Sequence, residues 1–294
     1  MRETQNTQTI TVLGTGAMGS RMARRLVLEG HTVRVWNRSA ELARSVEGAR
    51  SFEDRREAAD GADVVLSMLR SDEACRHVWL DEESGVLASL PQDTLILECS
   101  TTSVAYSREF AARVVAHGAA PLDAPLAGSR PQAEAGQLIF LLGGPNATVE
   151  RAQPLLAAMG QSWHHVGDHG AGAALKLALN ALFAAQVAQL AELVAFVAAH
   201  GVDRKVALET LTKTPVLSPA AAGAGSAMIA GQFAPAFPID LVCKDLGLFE
   251  EAASSIETPL SATTQDVFEN ARAAGLAQDN ITGVAQLYLK STGA

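Results

Sequence analysis

The chain is divided in two by the stretch HGAGAALKLALNALFAAQVAQLAELVAFVAAHG, His169–Gly201. The stretch is rich in Ala and Leu, lacks proline, and has no glycine between Gly172 and Gly201. This composition predicts one long helix. A helix of that length spans about 45 Å at 1.5 Å per residue, which exceeds the width of a small domain. We therefore expect it to join two bodies of the protein.

Near the start of this helix, Lys176 interrupts an apolar run, and Asn180 follows one turn later. Residues four apart lie on the same helix face, so the ammonium and the amide point the same way. Gly170 and Gly172 stand just before them, where the backbone would allow another group to approach closely. Taken alone, the pair is also typical of a surface lysine lying along apolar surface and an asparagine bonded to a neighbouring helix.

The overall composition is that of a globular protein, with 48% hydrophobic and 19% charged residues in 294 positions. The net charge of −9 and the lack of a basic run argue against a nucleic-acid partner. Cys75, Cys99 and Cys243 have no CxxC spacing, which favours free thiols in a reducing compartment. The first ten residues contain no apolar signal region, and polar residues interrupt the long helix. We expect a cytoplasmic protein with no membrane segment and no metal site.

Upstream of the long helix, the β-branched run Thr9–Leu13 predicts a buried strand. GTGAMG, Gly14–Gly19, follows at once and precedes a helical segment. G-x-G-x-x-G between a strand and a helix is typical of dinucleotide binding, although a tight turn without a ligand is the alternative. In such a loop Gly14 permits the turn, Gly16 lets a pyrophosphate approach the backbone, and Gly19 lets helix and strand pack closely. The helix N-terminus adds a partial positive charge.

The second predicted strand, Thr32–Trp36, ends in Asn37-Arg38-Ser39. Proteins that bind NAD usually place an acidic residue here for the ribose 2′-hydroxyl. No carboxylate is present to repel a 2′-phosphate, whereas a guanidinium and a hydroxyl can bind one. The alternative is an exposed turn with a solvated arginine. We predict that NADPH is preferred over NADH.

The rest of the chain follows two different patterns on the two sides of the long helix. Before it, short apolar runs predict further strands at Asp63–Leu69, Thr94–Glu98, Ala119–Ala124 and Gln137–Leu142. After it, the pattern stays helical, at Asp203–Lys213, Ile239–Ser255, Ser261–Gly275 and Asn280–Leu289. The sequence therefore predicts an α/β fold. A Rossmann-type dinucleotide-binding domain covers residues 1–166, and an all-helical domain covers residues 167–294, joined to the first by the long interdomain helix.

Four motifs occur in order along nearly the whole chain. They are LGTGAMG at Leu13–Gly19, DAPLAGS at Asp123–Ser129 with Ala133-x-x-Gly136-Gln137-Leu138, Gly170-x-Gly172-x-x-x-Lys176-x-x-x-Asn180, and Lys244-Asp245-Leu246-Gly247-Leu248. As an ordered set, they resemble the β-hydroxyacid dehydrogenases. That group contains 3-hydroxyisobutyrate dehydrogenase, tartronate semialdehyde reductase and glyoxylate/succinic semialdehyde reductase.

The resemblance implies an oxidoreductase of small hydroxyacids and aldehyde or keto acids, assembled as a homodimer or homotetramer through the helical domain. It implies that Lys176 is catalytic and that Asn180 orients the substrate. The residues expected to bind the cofactor are Gly14, Gly16, Ala17, Met18, Gly19, Asn37, Arg38, Ser39, Leu69, Thr101 and Lys244. The residues expected to bind substrate, with Asn180, are Ala127, Gly128 and Ser129. Without the resemblance, Lys244-Asp245 would be interpreted as a surface ion pair of little consequence.

The chemistry of the reaction fits a lysine. Hydride transfer to a carbonyl leaves an alkoxide that must be protonated, and an ammonium beside it can stabilise the charge and give the proton. A lysine in a desolvated site has its pKa lowered toward the working range, so the neutral amine can take the proton back in the oxidative direction. The long apolar faces of the central helix, with Leu190, Leu193, Val194 and Val197, favour an oligomer.

Two departures and two alternatives accompany this interpretation. Ala127 replaces the family's serine in the substrate motif, and Arg70 replaces a proline on the adenosine side. The stretch GHTVRVWNRS, Gly30–Ser39, is also similar to imine reductases, but these usually lack lysine at the catalytic position. A non-catalytic cofactor-binding oligomerisation module is the second alternative, and the pair of Lys176 and Asn180 argues against it.

Overall fold

The structure of the protein is a computed structural model that describes residues 7–289. The chain divides into two compact units, Met1–Lys176 and Leu177–Ala294. The first unit contains a sheet covered by helices, and the second is helical. This architecture confirms the predicted fold class. The domain boundary expected between residues 166 and 167 stays a prediction.

The first unit is built on a nine-stranded sheet. Its strands are β1 Thr9–Leu13, β2 Thr32–Trp36, β3 Arg50–Phe52, β4 Val64–Ser67, β5 Leu95–Glu98, β6 Ala120–Asp123, β7 Leu126–Ala127, β8 Leu138–Gly143 and β9 Gly160–Gly167. They lie in the order β3-β2-β1-β4-β5-β6-β8-β7, with β9 beside β8. Pairs from β3 to β6 are parallel, whereas β8 runs antiparallel to β6 and β7. The order of the first six strands is that of the doubly wound dinucleotide-binding fold.

Helices cover both faces of this sheet. They are α1 Gly19–Leu28, α2 Ala40–Arg44, α3 Arg55–Ala59, α4 Asp72–Leu80, α5 Val104–His117, α6 Arg130–Ala135 and α7 Asn146–Met159. Alternate strand residues enter different apolar clusters: Leu66 packs in the cluster that contains residues of α1 and α7, and Val65 packs in the cluster that contains residues of α4 and α5. Burial on both faces explains why these strands are continuous runs of Val, Ile and Leu, without polar alternation.

The strand register places the ends of five strands at one edge of the sheet. Leu13 pairs with Trp36 on one side and with Ser67 on the other. Ser67 pairs with Glu98, and Glu98 pairs with Asp123. The segments that follow β1, β2, β4, β5 and β6 therefore emerge at the same carboxyl edge, where ligand sites of α/β sheets form.

The long helix, α8 Ala171–Ala199, begins in the first unit and continues into the second. The other α-helices of the second unit are α9 Arg204–Thr212, α10 Pro219–Ile229, α11 Ile239–Ala252, α12 Pro259–Ala271 and α13 Gln286–Leu289, with short helical turns at Arg272–Leu276 and Ile281–Ala285. The main core of this unit packs Ala184 and Val187 of α8 with Val242 and Phe268. No strand runs through the part of this unit that the structure describes.

Helix α10 and the apolar face of α8 differ from expectation. Residues 219–229 were not predicted to be helical, but Ser218 caps the helix and Pro219 occupies its first turn, where proline is tolerated. Leu190 and Val194 are buried with Leu208 in a small cluster, so they are not free for a partner.

Helix α8 is also the one described helix whose length and composition would suit a membrane span, with a mean hydropathy of 1.8. Those two properties are weak evidence, because the core helix of a soluble protein shares them.

Candidate active site

The glycine loop after β1 contains two kinds of glycine. Gly14 has a φ of +96°, and a Cβ there would lie 2.4 Å from the carbonyl oxygen of Met68. A Cβ at Gly19 would lie 1.9 Å from the carbonyl oxygen of Gly14. Gly16 is exposed, and a Cβ there would meet nothing within 4 Å. Packing within the chain therefore requires glycine at Gly14 and Gly19, whereas Gly16 leaves open space beside the backbone.

Asn37 ties this loop to the end of β2. The backbone N–H of Gly14 donates to Trp36 O at 2.8 Å, and that of Thr15 donates to Asn37 Oδ1 at 3.1 Å. The Asn37 amide in turn donates to Ser39 O at 3.1 Å. Asn37 thus has a structural role in positioning the loop, next to its predicted role at the cofactor. The Arg38 side chain is exposed at the same edge of the sheet.

The ends of β4 and β5 reach the same place. The backbone N–H of Leu69 donates to Ser100 Oγ at 2.8 Å, and the Leu69 side chain would lie 2.9 Å from a Cβ at Gly14. Thr101, the residue after Ser100, is half-buried. The structure therefore brings Gly14, Leu69 and Thr101 together at one edge, although they are far apart in sequence.

The buried carboxylate of Glu98 forms hydrogen bonds just behind this edge of the sheet. Glu98 is 2% exposed at the end of β5. It accepts hydrogen bonds from Trp79 Nε1 at 3.1 Å and from the backbone N–H of Ser100 at 2.9 Å. Burial raises the pKa of the Glu98 carboxyl, and these hydrogen bonds act in the opposite direction. Sequence reasoning treated Glu98 only as the last residue of a strand and missed its link to Ser100.

The three substrate-motif residues that were predicted, Ala127, Gly128 and Ser129, run from the end of β7 to the start of α6. Ala127 belongs to β7 and pairs with Ile139. Gly128 has a φ of +124°, which strains any other residue. The backbone N–H of Ser129 donates to Gln132 Oε1 at 2.9 Å at the start of α6. Gly128 and Ser129 thus have structural reasons to be present, and their contact with substrate stays a prediction.

Asp123, the first residue of the same motif, has a different role. It ends β6 and is 5% exposed. Its Oδ2 accepts hydrogen bonds from the backbone N–H groups of Gly170, Gly172 and Ala173 at 3.2, 2.9 and 3.4 Å. The carboxylate therefore caps the N-terminus of α8, one turn before Lys176. Lys176 itself is half-buried.

A third buried carboxylate, Asp245, connects predicted residues in the helical unit. Asn180 Nδ2 donates to Asp245 Oδ2 at 2.6 Å, and Lys244 Nζ lies 2.7 Å from Asp245 Oδ1. Only 5% of the Asp245 side chain is exposed. The pair of Lys244 and Asp245 is therefore not the inconsequential surface ion pair that composition alone suggested. Asp245 directly follows Lys244 in the KDL motif, and that position was the sequence signal that could have identified it.

Thiol chemistry finds no support in this fold. The cysteines are free and buried. Burial raises the pKa of the Cys75 and Cys99 thiols, and it raises that of Cys243 to about 12. These thiols stay protonated near neutral pH and are poor nucleophiles. Within residues 7–289, no group of three or more His, Cys, Asp or Glu side chains is arranged to hold a metal ion; the expectation of no metal stays a prediction.

Two sequence-family models match the chain. The NAD-binding domain of 6-phosphogluconate dehydrogenase matches residues 9–167. The NAD-binding domain of NADP-dependent 3-hydroxyisobutyrate dehydrogenase matches residues 170–288. Together they cover the sheet unit and the helical unit in the order that the sequence motifs predicted.

Individual relatives match over almost the full length. The NAD-dependent L-serine dehydrogenase of Pseudomonas aeruginosa is 33% identical over 95% of this chain and 97% of its own. The structure of Mycobacterium tuberculosis 3-hydroxyisobutyrate dehydrogenase with L-serine is 31% identical, with a TM-score of 0.86, over 96% of this chain and 99% of its own.

An imine reductase from Pseudomonas sp. is more distant. Its structure is 22% identical, with a TM-score of 0.63, over 96% of this chain and 99% of its own. At that identity the likeness shows a shared fold alone.

Proposed function

The chain belongs to the β-hydroxyacid dehydrogenase family, and from that premise we propose that it is an NADPH-dependent enzyme that interconverts small hydroxyacids and the matching aldehyde or keto acids. The observation that carries the proposal lies within the first unit. A glycine loop with open space at Gly16 stands at the carboxyl edge of the sheet, and Asp123 anchors the turn of α8 that precedes Lys176 to the same edge.

The residues at this edge suit a dinucleotide. Gly16 and Ala17 are exposed at the N-terminus of α1, where backbone N–H groups and the helix dipole favour phosphate. Arg38 would bind the 2′-phosphate of NADPH through a charge-assisted hydrogen bond. One family model carries the description NADP-dependent, whereas the P. aeruginosa relative is named NAD-dependent. The preference for NADPH therefore rests on Arg38 and on the lack of an acidic residue at the end of β2.

The catalytic step assigned to the protein is proton transfer. When bound, the nicotinamide supplies the hydride in reduction or accepts it in oxidation. Lys176 Nζ donates a proton to the carbonyl oxygen as the new C–H bond forms, and it is left as a neutral amine. In the reverse direction the amine takes the hydroxyl proton. Asp245 fixes the orientation of the Asn180 amide, which we assign to substrate orientation.

The substrate class follows from the relatives and from Ala127. The two relatives above are named for L-serine and 3-hydroxyisobutyrate, which both carry a carboxylate and a 3-hydroxyl. Ala127 lacks the serine hydroxyl of the resembling motif, and a lost hydrogen bond to a charged group weakens binding by about 1.5–3 kcal/mol. We expect weak, high-KM use of compact acids such as glyoxylate, and better tolerance of longer or less polar carbonyl compounds.

A substrate panel with NADPH and NADH, followed by nicotinamide absorbance, tests the function. Lys176→Ala should lower kcat about 10²–10⁴-fold with unchanged NADPH affinity, because general acid–base catalysis contributes that much. Lys205→Ala on the exposed face of α9 is the matched control and should behave like the wild type. Near-wild-type turnover by Lys176→Ala would refute the assignment. Turnover of cyclic imines with aldehyde acids inert would support an imine reductase, and NADPH binding without any turnover would support a non-catalytic module.

Assembly through the helical unit is also proposed. Leu182, Leu193 and Phe196 of α8 are 64%, 41% and 59% exposed, and apolar surface of this kind marks contacts with partners. We propose a homodimer or homotetramer, located in the cytoplasm in keeping with the free cysteines. Light scattering that shows only a monomer at micromolar concentration would contradict the oligomer.

A further inference from the structure

The contacts of Asp123 go beyond those of an ordinary helix cap. Its Oδ2 accepts from the backbone N–H groups of Gly170, Gly172 and Ala173, while its Oδ1 lies 3.5 Å from His169 Nδ1. The carboxylate is almost fully buried. Ionised side chains are this deeply buried only when they are paired or hydrogen-bonded. The N–H groups of the first turn of α8 therefore stabilise the buried carboxylate, and the carboxylate in turn fixes the position of that turn.

Two glycines make room for this contact. A Cβ at Gly143 would lie 2.2 Å from Asp123 Oδ2. A Cβ at Gly172 would lie 2.8 Å from the same oxygen and 2.5 Å from the carbonyl oxygen of Leu141. The close approach that the sequence predicted at Gly172 is thus made by Asp123, a residue of the same chain. In the Gly170-x-Gly172 motif, Gly172 therefore leaves the space that the Asp123 carboxylate occupies when it caps α8.

The cap lies one turn from Lys176. In an α-helix the N–H of residue i bonds the carbonyl of residue i−4, so the backbone of Lys176 stands directly on the turn that contains Gly172. Asp123 is the last residue of β6, and it pairs with Gly143 and with Glu98. The hydrogen bonds from the first turn of α8 to the Asp123 carboxylate therefore connect the backbone just before Lys176 to the end of β6, at the carboxyl edge of the sheet.

We propose that Asp123 is a positioning residue for hydride-coupled proton transfer, which it supports by fixing the turn of α8 that carries Lys176. The inference rests on the proposed function, in which Lys176 exchanges the proton. A misplacement of about 1 Å can cost about 100-fold in rate, so a cap that sets the base of the side chain affects kcat. Substrate and cofactor affinity depend on other residues and should change little.

Asp123→Asn is the main test, because it keeps one acceptor oxygen and removes the charge. We expect kcat to fall about 10-fold, with KM and the Kd for NADPH within about 2-fold of the wild type, as for an interaction that acts on the transition state. The matched control is Asp54→Asn. Asp54 caps α3 in the same unit by accepting from the N–H groups of Arg56 and Glu57 at 2.7 and 3.0 Å. That variant should lose the stability of an exposed helix cap without losing kcat.

A double-mutant cycle separates positioning from a general structural effect. In the Lys176→Ala background, Asp123→Asn should change kcat by less than about 2-fold, because the group that it positions is gone. Hydrogen exchange of the backbone N–H groups at residues 170–173 should become faster in Asp123→Asn. Gly172→Ala, whose Cβ would lie 2.8 Å from Asp123 Oδ2 as well as 2.5 Å from Leu141 O, should also lower kcat.

Three results would overturn the inference. The first is an unchanged kcat in folded Asp123→Asn, and the second is the same fractional loss with and without Lys176. The third is a fall in kcat with unchanged hydrogen exchange at the start of α8. If Asp123→Asn fails to fold, Asp123→Ser, whose smaller side chain fits the same space, carries the same three comparisons. Failure of the proposed function would appear separately, as near-wild-type activity of Lys176→Ala alone.

Discussion

Gly16→Ala should separate cofactor binding from folding. At Gly16 a Cβ meets nothing within 4 Å, and φ lies outside the range that strains other residues. The substitution should therefore leave the free energy of unfolding unchanged, or raise it by about 0.4–1 kcal/mol through the smaller entropy of the unfolded chain. Gly19→Ala is the opposite case, because its Cβ would lie 1.9 Å from the carbonyl oxygen of Gly14. Overpacking of this kind typically costs about 1–3 kcal/mol.

Gly16→Ala should weaken cofactor binding even though it leaves the fold intact. If a pyrophosphate approaches the backbone at Gly16, a methyl group there occupies the space that the phosphate needs. We expect the Kd for NADPH to rise about 10–100-fold, which corresponds to about 1.4–2.8 kcal/mol. NADPH fluorescence titration gives the Kd, and urea unfolding without cofactor gives the stability. Gly223→Ala in α10 is the matched control, because a Cβ there also meets nothing within 4 Å.

The two measurements can contradict the argument separately. Wild-type NADPH affinity in folded Gly16→Ala would show that the phosphates do not approach at Gly16. Equal stabilities of Gly16→Ala and Gly19→Ala would show that the packing distances around the loop do not determine its tolerance of side chains.

Three further predictions concern single residues. Arg38→Ala should reduce a preference for NADPH over NADH of about 10–100-fold in kcat/KM, since charge-assisted hydrogen bonds contribute about 1.5–3 kcal/mol; an unchanged ratio would mean that Arg38 does not bind the 2′-phosphate. Ala127→Ser should lower KM for small carboxylates, and unaltered KM values for all of them would place Ala127 outside the carboxylate site. Burial raises the pKa of Glu98 above 4.5, so the native state binds more protons than the unfolded state above that pH, and stability falls as pH rises through this window. Glu98→Gln should flatten that slope in urea unfolding from pH 4 upward, and an identical slope in both proteins would contradict the shift.

The sequence was sufficient for elements with a clear period or an apolar run. Thr9–Leu13 and Thr32–Trp36 were predicted with the bounds that the structure has, and α8 differs from its prediction by two residues at each end. The short strand Arg50–Phe52 and the partly exposed Gly160–Gly167 were missed, because neither shows apolar alternation. Helix α10 was missed because proline and glycine usually disfavour helix, although its proline stands in the first turn, where it is tolerated.

At the candidate site, the sequence motifs named individual residues but not the contacts between them. Asp123 lies 47 to 50 residues from the N–H groups that it accepts from, and Asp245 lies 65 residues from Asn180. No local pattern reveals pairs at such separations, because strand order and helix packing create them. Asn37 shows the converse, since its position after β2 was predicted to serve the cofactor and its side chain also holds the glycine loop.

The two buried carboxylates that contact α8, Asp123 and Asp245, also address a problem that the composition of this helix creates. Ala and Leu occupy much of the helix on all sides, and a helix that is apolar all round has no single face that fixes its rotation about its own axis. Directional hydrogen bonds can fix what apolar packing leaves undefined, and a buried polar contact that sets register is the best-attested use of such groups. Asp123 binds the first turn of α8 within the sheet unit, and Asp245 binds Asn180 within the helical unit. Each contact allows one rotation of the helix segment that it touches. Within the sheet unit, the hydrogen bonds to Asp123 thus fix the helical turn that precedes Lys176, and with it the backbone from which the lysine side chain extends.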